Sequence, residues 1–80
     1  MNKFEVFWNS KPIGLIEDMK SDNSRIHGKW NPYRSLSHLQ FIDSLNSDPE
    51  PRLFIGSENS ELNGVLSCIK DEEIEIDLDQ

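Results

Sequence analysis

Apolar side chains recur at every second residue through much of this chain, and the spacing becomes helical only between two proline-bearing breaks. Phe4, Val6 and Trp8 alternate with Lys3, Glu5 and Phe7; Ile26 and Trp30 alternate with Arg25, His27 and Lys29; Ile74, Ile76 and Leu78 alternate with Glu73, Glu75, Asp77 and Asp79. A period of two sends successive side chains to opposite faces, so each run predicts a strand with one buried face. Phe7 falls on the outward phase of its strand, which marks it as an exposed apolar contact or a homodimer face.

Turn chemistry separates these runs. Asn9-Ser10-Lys11-Pro12 predicts a hairpin turn, with a second strand from Ile13 to about Met19 in which Gly14 marks a bulge or a close backbone approach. The polar stretch Lys20 to Ser24 reads as a loop, and Asn31-Pro32 ends the third strand because proline cannot continue a ladder. From Ser35 to Leu45 the period changes, and Leu39, Phe41, Ile42 and Leu45 share one arc of a helical wheel. The start of this helix is open between a capping box at Ser37 and Gln40 and a first-turn proline after Asn31. Its end is set near Asn46, since Ser47-Asp48-Pro49-Glu50-Pro51 cannot extend it.

Beyond the prolines, Leu53-Phe54-Ile55 is a short strand, and Leu62 to Ile69 is another, interrupted by Gly64. Cys68 lies within that apolar run, where a small buried thiol is expected. No internal repeat stands out. The sum is one α+β domain over residues 1–80, in the order βββαβββ, with one helix packed on a mainly antiparallel sheet.

Size limits what such a domain can carry. At 80 residues the expected net stability is about 4 to 12 kcal/mol, so several strained or desolvated catalytic groups would be a heavy burden and a binding surface a light one. The single cysteine cannot form an internal disulfide, and no segment has the apolar length of a secretory or membrane-spanning stretch. A soluble cytoplasmic protein, without a membrane partner, is the expectation.

The charge is uneven. The net charge is −7, and the last ten residues hold six acids and no base: Asp71, Glu72, Glu73, Glu75, Asp77 and Asp79. Glu73, Glu75, Asp77 and Asp79 would form an outward carboxylate row at about 7 Å spacing. Neighbouring charges at that distance repel by roughly 0.6 kcal/mol in water and by about a third to a half of that in physiological salt, so the row is tolerable without a ligand. It can serve as charge protection on an edge strand, or be answered from within by Arg25, His27 and Lys29. It can also dock a basic protein, as an inhibitor or immunity-type protein would.

Other chemistries have less behind them. A strand carries one charge per ~7 Å against one per ~3.4 Å on each DNA strand, which is too sparse for strong DNA mimicry. Eight basic residues scattered among fifteen acidic ones give no nucleic-acid platform. Neither His27 nor His38 has a second ligand at zinc spacing, Asp77-Leu78-Asp79 lacks a calcium-loop glycine, and the four glycines form no phosphate loop. No metal, cofactor or catalytic residue is assigned.

The leading expectation is a non-enzymatic acidic interaction module whose partner-binding residues are Glu73, Glu75, Asp77, Asp79 and Phe7. One alternative is a small hydrolase or ligand-binding protein using His27 or His38 with a nearby carboxylate. Another is a self-associating module in which Phe7 or an edge strand completes a homodimer.

Overall fold

The computed structural model describes residues 3–57, 60–70 and 72–78, and in it six strands close into a barrel. β1 (Lys3–Trp8), β2 (Lys11–Asp22) and β3 (Arg25–Pro32) form one antiparallel meander, and β4 (Arg52–Ser57), β5 (Ser60–Lys70) and β6 (Glu73–Leu78) form a second. The meanders join twice, through the antiparallel pairs β1–β4 and β3–β6, giving the ring order β1-β2-β3-β6-β5-β4. This corrects the expectation of an α+β sheet with a helix packed on it. A strand that is apolar on one face fits an open sheet under a helix or a closed barrel equally well; the two long-range pairings decide between them.

Local chemistry still explains each turn. The β1–β2 hairpin turns on two residues only, Asn9 (φ 52°) and Ser10 (φ 66°), a left-handed pair that matches the twist of the flanking strands. β2 therefore starts earlier than Ile13 and takes in Pro12 beside a bulge at Val6/Phe7. It also runs on to Asp22, so most of the expected loop is strand, and Asn23 (φ 60°) makes the next tight turn.

The ring has an approximate two-fold relation that the residue pattern conceals. β1 and β4 face each other at Phe7 and Phe54, β3 and β6 at Gly28 and Ile74, and exchanging the two meanders about these pairs maps Gly14 onto Gly64. Both glycines are buried and lie against the third strand of their own meander. A Cβ on Gly14 would sit 2.6 Å from Trp30 Cη2 and 2.7 Å from the Asn31 carbonyl oxygen. On Gly64 it would meet the Asp77 carbonyl oxygen and, at 2.9 Å, the Leu78 Cα. The absence of a side chain lets the strands approach closely at equivalent places in the two halves.

One face of every strand fills the barrel. Val6, Ile13, Ile16, Ile26, Trp30, Leu53, Ile55, Leu66, Ile74 and Ile76 are all buried, and Phe41 joins them from the helix. β3 and β4 stand on opposite sides of the ring, so the chain between them must cross one end of the barrel. The crossing segment contains α1 (Leu36–Ser44), whose N-cap is Ser35, its side chain accepting from the His38 amide at 3.2 Å. The cap is thus neither Asn31 nor Ser37. Phe41 is the one fully buried helix residue, and it plugs the barrel end against Trp8, with ring centroids 5.8 Å apart in an edge-to-face arrangement.

Candidate interaction site

Two surfaces stand out, and the carboxylate row of β6 is the first. Glu73, Glu75 and Asp77 face outward, as their alternation with Ile74, Ile76 and Leu78 requires; Asp79 lies outside the described residues. Across the ladder with β3, Arg25 pairs with Asp77, His27 with Glu75 and Lys29 with Glu73. On the other flank Lys70 pairs with Glu73. The row is therefore not an edge, and its charge is answered by the chain's own bases.

Arg25 holds this ladder together. Its Nε donates to Asp77 Oδ1 at 2.7 Å, and its guanidinium reaches Glu75 at 3.7 Å. The hydrogen bond and charge of Asp77, helped by Glu75 and Asp22, push the Arg25 pKa above its ordinary value. With Asp22, Asn23, Ser24 and His27, these side chains line an open polar cleft. Its acids are already engaged by arginine, and no cluster of His, Cys, Asp or Glu suited to a metal occurs among the described residues.

The second surface belongs to α1. At 100° per residue, Leu36, Leu39 and Ile42 occupy an arc of about 120° next to the buried side of the helix. They are 70%, 64% and 42% exposed, although aliphatic residues at helical spacing are expected inside. Leu36 and Leu39 line an open groove with Pro32, Tyr33, Arg34 and His38. The wheel arc read from the sequence is correct, but the helix is turned so that Phe41 and Leu45 point into the barrel. Leu39 and Ile42 are left outside.

Tyr33 and His38 frame this groove from below. The Tyr33 hydroxyl donates to Glu5 Oε2 at 2.6 Å, and that bond, with some burial and the Glu5 charge, raises the Tyr33 pKa to about 12. His38 packs 6.5 Å from Trp30 and 6.4 Å from Phe41 between ring centroids, and burial lowers its pKa. His27 sits on the barrel wall in the cleft beside Asp22. Among the described residues neither imidazole makes a hydrogen bond or ion pair with a carboxylate, and the two histidines line separate depressions.

The remaining sequence candidates fall elsewhere. Phe7 is half-buried and paired with Phe54 on the outer wall of the β1–β4 seam, about as far round the ring from β6 as a strand can be. The partner-binding set Glu73, Glu75, Asp77 and Phe7 is thus not one surface. Cys68 is exposed rather than buried, because a bulge between Leu66 and Cys68 shifts the phase of β5 and pairs Cys68 with Glu75. The exposed face of α1 was missed because periodicity gives the width of an apolar arc and not which edge of it the core takes.

Among the described residues no helix is long and apolar enough to cross a membrane. No family model, curated protein or solved structure shows significant similarity to this chain.

Proposed function

We propose that this chain is a protein-interaction module whose contact surface is the outer face of α1 with the groove beside it. The observation that carries this reading is the exposure of Leu36, Leu39 and Ile42 together on a helix of nine residues. Their exposed portions amount to somewhat under two whole side chains, so covering them is worth roughly 3 to 5 kcal/mol. A rim ion pair is worth about 0.2 to 1 kcal/mol. The apolar face therefore outweighs any single carboxylate of β6 as a source of affinity, and its rim of Tyr33 and Arg34 is of the kind that anchors interfaces.

A second reading keeps the basic partner. Glu75 and Asp77 remain 41% and 51% exposed at the side chain, and a chain of net charge −7 attracts basic proteins at low ionic strength. In this reading Glu73, Glu75 and Asp77 steer the encounter, and Glu75 and Asp77 must give up Arg25 to hold a partner closely. Affinity capture separates the readings: Leu36→Glu with Leu39→Glu should abolish capture, and Glu73→Gln, Glu75→Gln with Asp77→Asn should weaken it only at low salt. Undiminished capture by the leucine variant would overturn the α1 reading.

A further inference from the structure

We propose that the occupant of the α1 face is a second copy of this chain, docked antiparallel about a two-fold axis so that Arg34 of each copy meets Asp43 of the other. The proposal rests on the reading of α1 as the contact surface and adds the charges at its two ends. Counting 100° per residue, Asp43 lies on the same side of the helix as Leu36 and Leu39, one turn beyond Leu39. Arg34 lines the groove with Leu36 and Leu39 at the other end. The stripe thus runs from a base through aliphatic side chains to an acid.

Within one copy these charges are poorly placed. The first turn of α1 has no acid and the last turn no base; Arg34 precedes the N-cap and Asp43 lies in the last turn, each at the end whose partial charge has its own sign. Among the described residues neither is in an ion pair or makes a side-chain hydrogen bond. Arg34 lies two positions before the first helical residue and Asp43 in the last turn, so the two charges flank the apolar stripe. A two-fold rotation near His38 and Leu39 exchanges the two ends, bringing Arg34 of each copy toward Asp43 of the other and Ile42 toward the other copy's groove. An apolar centre with complementary charge at each end of one short helix is self-complementary under that rotation, as an isologous dimer requires.

The surface is small. A single nine-residue helix and its rim give less than the roughly 1,200 Å² of total buried area found in stable complexes, so the dimer is weak and forms at high concentration. Barrel closure removes the competing route of strand addition between copies, since every strand has two neighbours in the ring.

Sedimentation of the full chain from about 10 μM to about 1 mM, at low salt, tests the proposal. The wild type should shift from monomer to dimer across that range, and Leu39→Glu should stay monomeric with an unchanged circular dichroism spectrum. Arg34→Glu and Asp43→Arg should each weaken association roughly tenfold, because two attractive rim pairs become repulsive. Mixing these two variants in equal amounts should restore dimer, as should combining both changes in one chain. Restoration by mixing distinguishes a contact across copies from a local effect on α1. A wild type that stays monomeric at about 1 mM, or single variants that do not recover on mixing, would overturn the dimer. If Leu39→Glu still lost capture of another protein in that case, the α1 reading would stand and a different partner would cover the face.

Discussion

Replacing Phe41 with alanine should release α1 while leaving the strand ring in place. Phe41 is the only fully buried residue of the helix, its ring lies 5.8 Å from Trp8 and 6.4 Å from His38, and Leu45 after it is only half-buried. Truncating a buried phenylalanine costs about 3 to 5 kcal/mol, including some 0.5 to 1.5 kcal/mol for the edge-to-face contact. An isolated helix of nine residues is marginal in water, so little besides this docking holds α1 folded. Against an expected total of about 4 to 12 kcal/mol, the loss is about a quarter of the stability or more. With a urea slope near 1 kcal/mol per molar for a chain this small, the midpoint should fall by about 3 to 5 M. Trp8 and Trp30, at the plugged end, provide the fluorescence signal. Hydrogen exchange should show the amides of Phe41 to Leu45 losing protection before those of β3 and β6, and association through the α1 face should be lost in parallel. A midpoint shift below about 1 M, or helix amides that keep their protection, would refute the view that Phe41 alone docks α1.

Three further perturbations test other parts of the structure. Gly64→Ala should cost about 2 kcal/mol, because its Cβ meets the backbone of Asp77 and Leu78, which cannot swing aside; Val65→Ala on the outer face is the control, and equal melting temperatures for the two would contradict the close approach of β5 and β6. Tyr33→Phe should cost about 1 kcal/mol after allowance for its exposure. Since the folded pKa of Tyr33 is raised from 10.0 to about 12, that stabilisation is complete below pH 10 and disappears as pH rises through 12, so the wild type and Tyr33→Phe should converge there in a pH series of urea melts. The Arg25–Asp77 pair is exposed on both sides; a double-mutant cycle with Arg25→Gln and Asp77→Asn should show a coupling at low salt that vanishes near about 1 M salt, and a salt-independent coupling would mean the pair is less solvated than its geometry says.

β1, β3 and β6 left a period of two in the sequence, and the turn residues placed the breaks to within a few positions. Closure was not legible, because Val6 against Ile55 and Ile26 against Ile76 are pairings between residues about fifty apart whose local pattern is the same in an open sheet. The rotation of α1 was hidden for a related reason. Its apolar arc spans more than the core can take, and only the crossing from β3 to β4 determines that Phe41 enters the barrel while Leu39 stays out. Cys68 was misassigned by a single bulge, which reverses the inside and outside of every later residue on a strand. The two-fold relation of the meanders survives in little more than Gly14-Leu15-Ile16 and Gly64-Val65-Leu66, too short a match to register as a repeat.

The acidic row acquires a structural role from the same closure. Edge protection is no longer a reason for it, since β6 is hydrogen-bonded to β3 on one flank and β5 on the other. Nor can it fix the register of the β3–β6 pair. Acids occupy every second position from Asp71 to Asp79, so sliding β6 by two residues still sets an acid opposite each of Arg25, His27 and Lys29. What the row can select is the neighbour. β3 presents three basic side chains in alternation on its outer face, whereas β1 offers Lys3, Glu5 and Phe7, and β4 offers Arg52 and Phe54. The last strand of the second meander is therefore matched in charge to the last strand of the first, the pairing that closes the ring. Register is left to the barrel interior, where Ile26 is set against Ile76 and Gly28 against Ile74, and the Trp30 amide bonds the Glu72 carbonyl at 2.7 Å. On this account the charge asymmetry of the sequence specifies which strands meet, and the aliphatic face of α1 is the surface left to recognise something else.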